Sequence, residues 1–186
     1  MEVDDSSYMT MAIEEAQCAF RENEVPIGCV FVKDGQVIAK GHNKTNATGN
    51  ATLHAEIVAI SEALHSNGND PSLFLQSTLY VTIEPCIMCA SAIAQLGIKR
   101  AVFGASNDRF GGCGSVLSLN LDKGKVVYEV TRGVFQDKTI HLLQCFYDRE
   151  NQYAPDEKRR RKNKGLLVCS LIIIRVYLKP TRQFIH

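Results

Sequence analysis

The chain is 186 residues long, 45% hydrophobic and 22% charged, with a formal net charge of +1. That is enough chain to bury one real core but not two generous ones, so a single domain plus a tail is expected, with the composition of a soluble globular protein. The opening residues lack the charged start and apolar middle of a signal peptide, which argues for an intracellular protein, in the cytoplasm, the nucleus or both.

The charge is unevenly spread. Residues 1–154 hold 12 Lys and Arg against 18 Asp and Glu, whereas residues 155–186 hold 9 against 2. The expected division is a domain over 1–154 and a basic tail over 155–186, whose like charges favour disorder. Lys158, Arg159, Arg160, Arg161, Lys162 and Lys164 crowd into one run. Such a run can attract phosphate backbones, act as a nuclear import signal, or simply be a solvated end. The apolar stretch from Leu166 to Ile174 is well short of the ~20 residues needed to cross a bilayer, so no membrane partner is expected. Seven cysteines without a framework spacing, in a chain with no secretory signal, read as thiols or metal ligands rather than disulfides.

In chain order, Tyr8, Ala12, Ala16, Ala19 and Phe20 recur every three or four residues and predict a helix to about Glu22, stopped by Pro26 and Gly28. Cys29 to Lys33 and Gln36 to Lys40 flank Asp34-Gly35, a dipeptide suited to a tight hairpin turn, and predict two antiparallel strands. Polar, small residues from Asn43 to Ala51 read as a loop, and His54 to Leu64 as a second helix. Thr78 to Ile83 alternates and is β-branched, hence a strand, followed by a helix from about Cys86 to Leu96. Arg100 to Gly104 supplies a strand, Lys125 to Val130 another, and Asp137 to Arg149 a last helix. Strands alternating with helices after a hairpin predict an α/β fold, a three-layer α/β/α sandwich around a mixed sheet.

Chemistry concentrates in His54-Ala55-Glu56 and, about thirty residues on, Pro85-Cys86-Ile87-Met88-Cys89. Cysteines three apart at a helix start point the same way, and the positive end of the helix favours the thiolate that binds zinc. One imidazole and two thiolates are three ligands, so a tetrahedral zinc keeps a fourth position for water, as catalytic rather than structural sites do. Zinc lowers the pKa of such a water from 15.7 to about 7. Glu56 is then the proton carrier between water, ring nitrogen and departing ammonia. Residues two apart do not share a helix face, so His54 and Glu56 serve one ion only if it sits over the first turn.

The His-x-Glu and Pro-Cys-x-x-Cys pattern resembles the signature of zinc nucleobase deaminases, the cytidine deaminase superfamily. Glu24-Val25-Pro26-Ile27-Gly28, Gly41-His42-Asn43, His54 to Ile57, Tyr80 to Ala90 and Val102-Phe103-Gly104 narrow the resemblance to tRNA-specific adenosine deaminases, over about Tyr8 to Arg149. Asn107 to Leu117 looks like the catalytic subunit of the eukaryotic heterodimeric enzymes more than the bacterial homodimers. The resemblance implies a cytidine deaminase-like fold, conversion of adenosine to inosine at the tRNA wobble position, and a partner subunit that has lost its own proton-carrying glutamate. It further implies that Asn43 hydrogen-bonds the flipped base, that Arg109 and its loop touch RNA, and that the Lys158 to Lys164 run corresponds to a basic terminal segment. The same metal site would serve a deaminase of free cytidine, deoxycytidylate or guanine, with pocket shape separating them. A zinc-holding RNA-binding subunit without turnover is the reading from another class, and an intact Glu56 weighs against it.

Overall fold

The computed structural model describes residues 4–149. In chain order these form α1 (Asp5–Arg21), β1 (Gly28–Lys33), β2 (Gln36–His42), a short α2 (Thr45–Thr48), α3 (Ala55–Ser66), a 3-10 turn (Pro71–Phe74), β3 (Thr78–Ile83), α4 (Ile87–Gln95), β4 (Arg100–Ala105), β5 (Leu121–Asp122), β6 (Lys125–Val126), β7 (Glu129–Thr131) and α5 (Gln136–Tyr147). Of the described residues, 4–143 belong to one compact unit and 144–149 fall in a second. The boundary expected between 154 and 155 lies outside the described residues.

Five strands make one sheet in the order β2-β1-β3-β4-β7. The β1–β2 and β1–β3 pairs are antiparallel and the β3–β4 and β4–β7 pairs parallel, so the expected mixed sheet is formed. Asp34 and Gly35, at φ +50° and +78°, make the predicted hairpin turn, since both central positions of a type I′ turn need positive φ. β1, β3 and β4 are buried almost throughout, as strands covered on both faces must be.

The period of two along each strand divides the core. On one face Val30, Val32, Tyr80 and Val102 pack under Met9, Ala12 and Ile13 of α1. On the other, Cys29, Phe31, Leu79, Val81, Ala101 and Phe103 pack under Ala55 and Ala59 of α3 and Ala90 and Ile93 of α4. Each large apolar side chain so buried contributes about 1.5–3 kcal/mol. The result is the three-layer α/β/α sandwich. Asp4 caps α1 by accepting from Ser6 N at 3.1 Å, and Asp5 pairs with Arg100 at 2.7 Å, tying the helix start to β4.

Two segments differ from their expected form. The loop expected from Asn43 to Ala51 contains α2. Lys125 to Val130 is not one strand: Lys123 and Gly124 at φ +48° and +79° turn the chain into the small β5–β6 hairpin. Tyr128 is then buried, 1% exposed, before β7 joins the sheet edge. Cys18, Cys29, Cys86, Cys89 and Cys113 are free thiols as expected. Among the described residues no helix is long and apolar enough to cross a membrane.

Candidate metal centre and its flanking loops

The strand register gathers the functional segments at one end of the sheet. Gly28 pairs with His42, Cys29 with Val81, Val81 with Phe103 and Ile83 with Ala105. The chain therefore leaves β2 toward Asn43, β3 toward Glu84-Pro85-Cys86, and β4 toward the 106–115 loop, all on the same side. This is the carboxyl end of the parallel strands, where α/β sheets place ligands.

Two helix starts meet there. His54 is the N-cap of α3 and Glu56 its second residue; Cys86 is the N-cap of α4 and Cys89 lies in its first turn. A metal held by His54 would lie over the first turn of α3, as the two-residue spacing of His54 and Glu56 requires. Gly41 allows the approach of α3 to β2: a Cβ there would stand 2.8 Å from both the Ala55 carbonyl oxygen and the Ala59 nitrogen.

His54 Nδ1 stands 3.4 Å from Cys86 Sγ and 3.7 Å from Cys89 Sγ, and the three ligand atoms all lie within 4.8 Å of one another. A tetrahedral zinc with Zn–S of about 2.3 Å and Zn–N of about 2.0–2.1 Å separates nitrogen from sulfur by about 3.5 Å. The donor set fits zinc by chemistry and by spacing.

Cys86 is held at about 4, well below the usual thiol range, by a hydrogen bond from the Cys89 thiol and another from His54, against the effect of its own burial. Cys89 moves upward because it donates to Cys86 and is buried, and His54 is raised by its bond to Cys86. A thiolate at Cys86 marks a place that favours positive charge, which a divalent cation supplies as it displaces the ligands' protons. Glu56, 3% exposed, is pushed up to about 7 by burial.

Asn43 is 4% exposed, and its Oδ1 accepts from Ala55 N at 2.9 Å. It thus satisfies the first free N–H of α3, and the side-chain amide is oriented with its nitrogen left to donate. Arg109 is exposed, with its guanidinium 5.3 Å from the centroid of the Phe110 ring, within cation–π range. Its loop abuts the metal ligands, for Ile87 N donates to the Phe110 carbonyl at 2.9 Å and Cys86 bridges to Gly111. The structure so brings His54, Glu56, Cys86, Cys89 and Asn43 to one end of the sheet and Arg109 to its rim. Lys158, Arg159, Arg160, Arg161, Lys162 and Lys164 lie outside the described residues.

Two buried carboxylates went unassigned in the sequence. Glu24, fully buried, accepts from Thr45 Oγ1 at 3.1 Å and Ala47 N at 2.7 Å, pinning α2 and the loop beyond Asn43. Glu84, 1% exposed, does the same for the loop after β4. Burial would raise its carboxyl, but hydrogen bonds from Asn107 N, Ser115 and Cys113 N outweigh that and hold it below the usual range. The available signal was an acidic residue at the end of an apolar strand or helix, one or two positions ahead of a proline.

Residues 2–105 match the family described as cytidine and deoxycytidylate deaminase zinc-binding region. The chain is 43% identical over 163 residues to tRNA-specific adenosine deaminase 2 of Xenopus tropicalis, covering 84% of this chain and 96% of that one. It is 44% identical over 157 residues to tRNA-specific adenosine deaminase subunit tad2 of Schizosaccharomyces pombe, where 84% of this chain spans only 40% of the relative. A solved structure from work on A-to-I editing by tRNA:A34 deaminases superposes with a TM-score of 0.67 at 35% identity, covering 74% of this chain and 99% of that one. A guanine deaminase from Nitrosomonas europaea, at TM-score 0.66 and 22% identity over 76% of this chain and 83% of its own, shares the fold. The chain is a member of the zinc-binding cytidine and deoxycytidylate deaminase family and, within it, of the tRNA-specific adenosine deaminases.

Proposed function

We propose that this chain hydrolytically deaminates adenosine to inosine at the wobble position, 34, of tRNA anticodons, as the catalytic subunit of a heterodimer. The observation that carries the reading is the meeting of His54 Nδ1, Cys86 Sγ and Cys89 Sγ within 4.8 Å of one another, with the buried Glu56 two residues from the histidine. The relatives named above are adenosine deaminases of tRNA, which selects adenosine in tRNA over free cytidine, deoxycytidylate or guanine.

His54, Cys86 and Cys89 would hold zinc, which when bound supplies a Lewis acid that acidifies water. Glu56 accepts a proton from the attacking water, delivers it to the ring nitrogen, and then serves the departing amine, so one carboxyl handles every transfer of a turnover. Its burial keeps bulk water from competing for those protons. Asn43, its oxygen engaged by Ala55 N, donates through its amide nitrogen to the flipped base. Arg109 meets phosphate or ribose at the rim. The basic run from Lys158 to Lys164 adds contacts to the RNA backbone. Residues 1–154 form the catalytic domain and 155–186 the RNA-binding tail, and the enzyme works inside the cell, in the cytoplasm, the nucleus or both.

The partner is a related deaminase subunit that has lost its proton-carrying glutamate. Purifying the chain with and without that partner, then sequencing treated tRNA for inosine, tests the reading. Inosine at position 34 only with the intact site supports it; deamination of free nucleosides with tRNA untouched overturns it.

A further inference from the structure

Both oxygens of the Glu84 carboxylate are taken up by one loop. Oε1 accepts from Cys113 N at 3.0 Å and Ser115 N at 3.1 Å; Oε2 accepts from Asn107 N at 2.9 Å and from the Ser115 hydroxyl. The loop closes back on the segment that carries the metal ligands, with Gly112 N donating to the Pro85 carbonyl at 2.9 Å and Ile87 N to that of Phe110 at 2.9 Å. Gly111 lies directly over the carboxylate: a Cβ there would be 2.6 Å from Glu84 Cδ and 2.6 Å from the Asn107 carbonyl oxygen. Held between these points, Arg109 and Phe110 stand out into solvent, Phe110 at 54% exposure.

We propose that Glu84 is a positioning residue that organises the 107–115 loop from beneath, so that Arg109 and Phe110 are presented beside the metal centre as one preformed RNA-contacting tip. The proposal rests on the tRNA reading above. An apolar side chain would fill this site at less cost, because burying a carboxylate is expensive unless donors surround it. What only an anion does here is gather three backbone N–H groups and a hydroxyl from positions up to eight residues apart. None of its donors comes from the sheet, so its hold is on the loop and not on the strands. The tip it presents combines a cation for phosphate with an exposed aromatic face for stacking a base, the pairing that single-stranded RNA recognition uses. Preforming that tip removes an ordering cost from binding.

The test is Glu84→Gln in the full chain, loaded with zinc and joined to its partner subunit. An amide has one acceptor oxygen, so an NH2 group must face either Asn107 N or the Cys113 and Ser115 amides. Hydrogen exchange at Asn107, Cys113 and Ser115 should speed up by about tenfold or more while the amides of β3 and β4 keep their protection. KM for a tRNA bearing adenosine at position 34 should rise by about tenfold with a much smaller change in kcat, the mark of lost binding made equally to ground and transition states. Ser115→Ala, which removes one donor and keeps the anion, should move both readouts the same way by less, and serves if the Gln variant does not fold. Unchanged loop exchange, or unchanged KM in a zinc-loaded variant, would overturn the proposal, as would acceleration spread evenly over β3 and β4. If the unaltered complex makes no inosine in tRNA, the functional reading fails, while the exchange measurements still decide whether Glu84 holds the loop.

Discussion

Replacing Glu56 by Gln separates proton transfer from packing. Gln keeps the volume and the hydrogen-bonding shape of a side chain that is 3% exposed, but removes the basic carboxylate. The groups that could hold a metal are His54, Cys86 and Cys89, so zinc content should stay at one per chain, and tRNA binding should persist. Loss of general acid and base assistance costs about 10²–10⁴-fold, roughly 3–5 kcal/mol at 1.36 kcal/mol per decade. The larger end is expected, since in the proposed mechanism one carboxyl serves successive transfers in the same turnover. Single-turnover inosine formation, metal analysis and tRNA binding on the same preparation give the three readouts. A near-native single-turnover rate in the zinc-loaded variant would refute proton carriage by Glu56; loss of zinc would instead make it a structural support of the metal site.

Three further outcomes are expected. Cys86→Ala or Cys89→Ala should lose both zinc and activity while Cys18→Ala and Cys29→Ala keep both, because only the first two belong to the ligand set; stoichiometric zinc in Cys86→Ala, measured by metal analysis, would show the assignment to be wrong. Gly41→Ala places a Cβ 2.8 Å from backbone atoms of Ala55 and Ala59. The start of α3 must then shift, lowering stability by about 1–3 kcal/mol in denaturant unfolding and weakening zinc binding through His54; unaltered stability and metal affinity would mean that α3 is free to yield. Deleting residues 158–164 should weaken tRNA binding and flatten its salt dependence by about 0.7–0.9 in log–log slope per lost phosphate contact, and an identical slope would mark the run as one that never touches RNA.

Much of this was decided locally and could be read without a fold. The Asp34-Gly35 turn, the helical period of α1 and the β-branched run of β3 depend on neighbours a few residues away, so they stood in the sequence. The chemical identity of the site did too, because zinc chemistry follows from ligand type and from the three-residue step between Cys86 and Cys89. What tertiary structure alone decided is non-local. Nothing near His54 places its Nδ1 3.4 Å from a sulfur 32 residues away; the sheet register does, by sending β2, β3 and β4 out at one end. The stretch from Lys125 to Val130 looked like one strand because its composition suits a strand, yet Lys125 and Val126 pair with β5 while Glu129 and Val130 pair with β4, which divides it. Glu24 and Glu84 carried no assigned role in the sequence, since the donors that make a buried carboxylate tolerable come from segments 21 to 31 residues distant and assemble only when the loops fold over them.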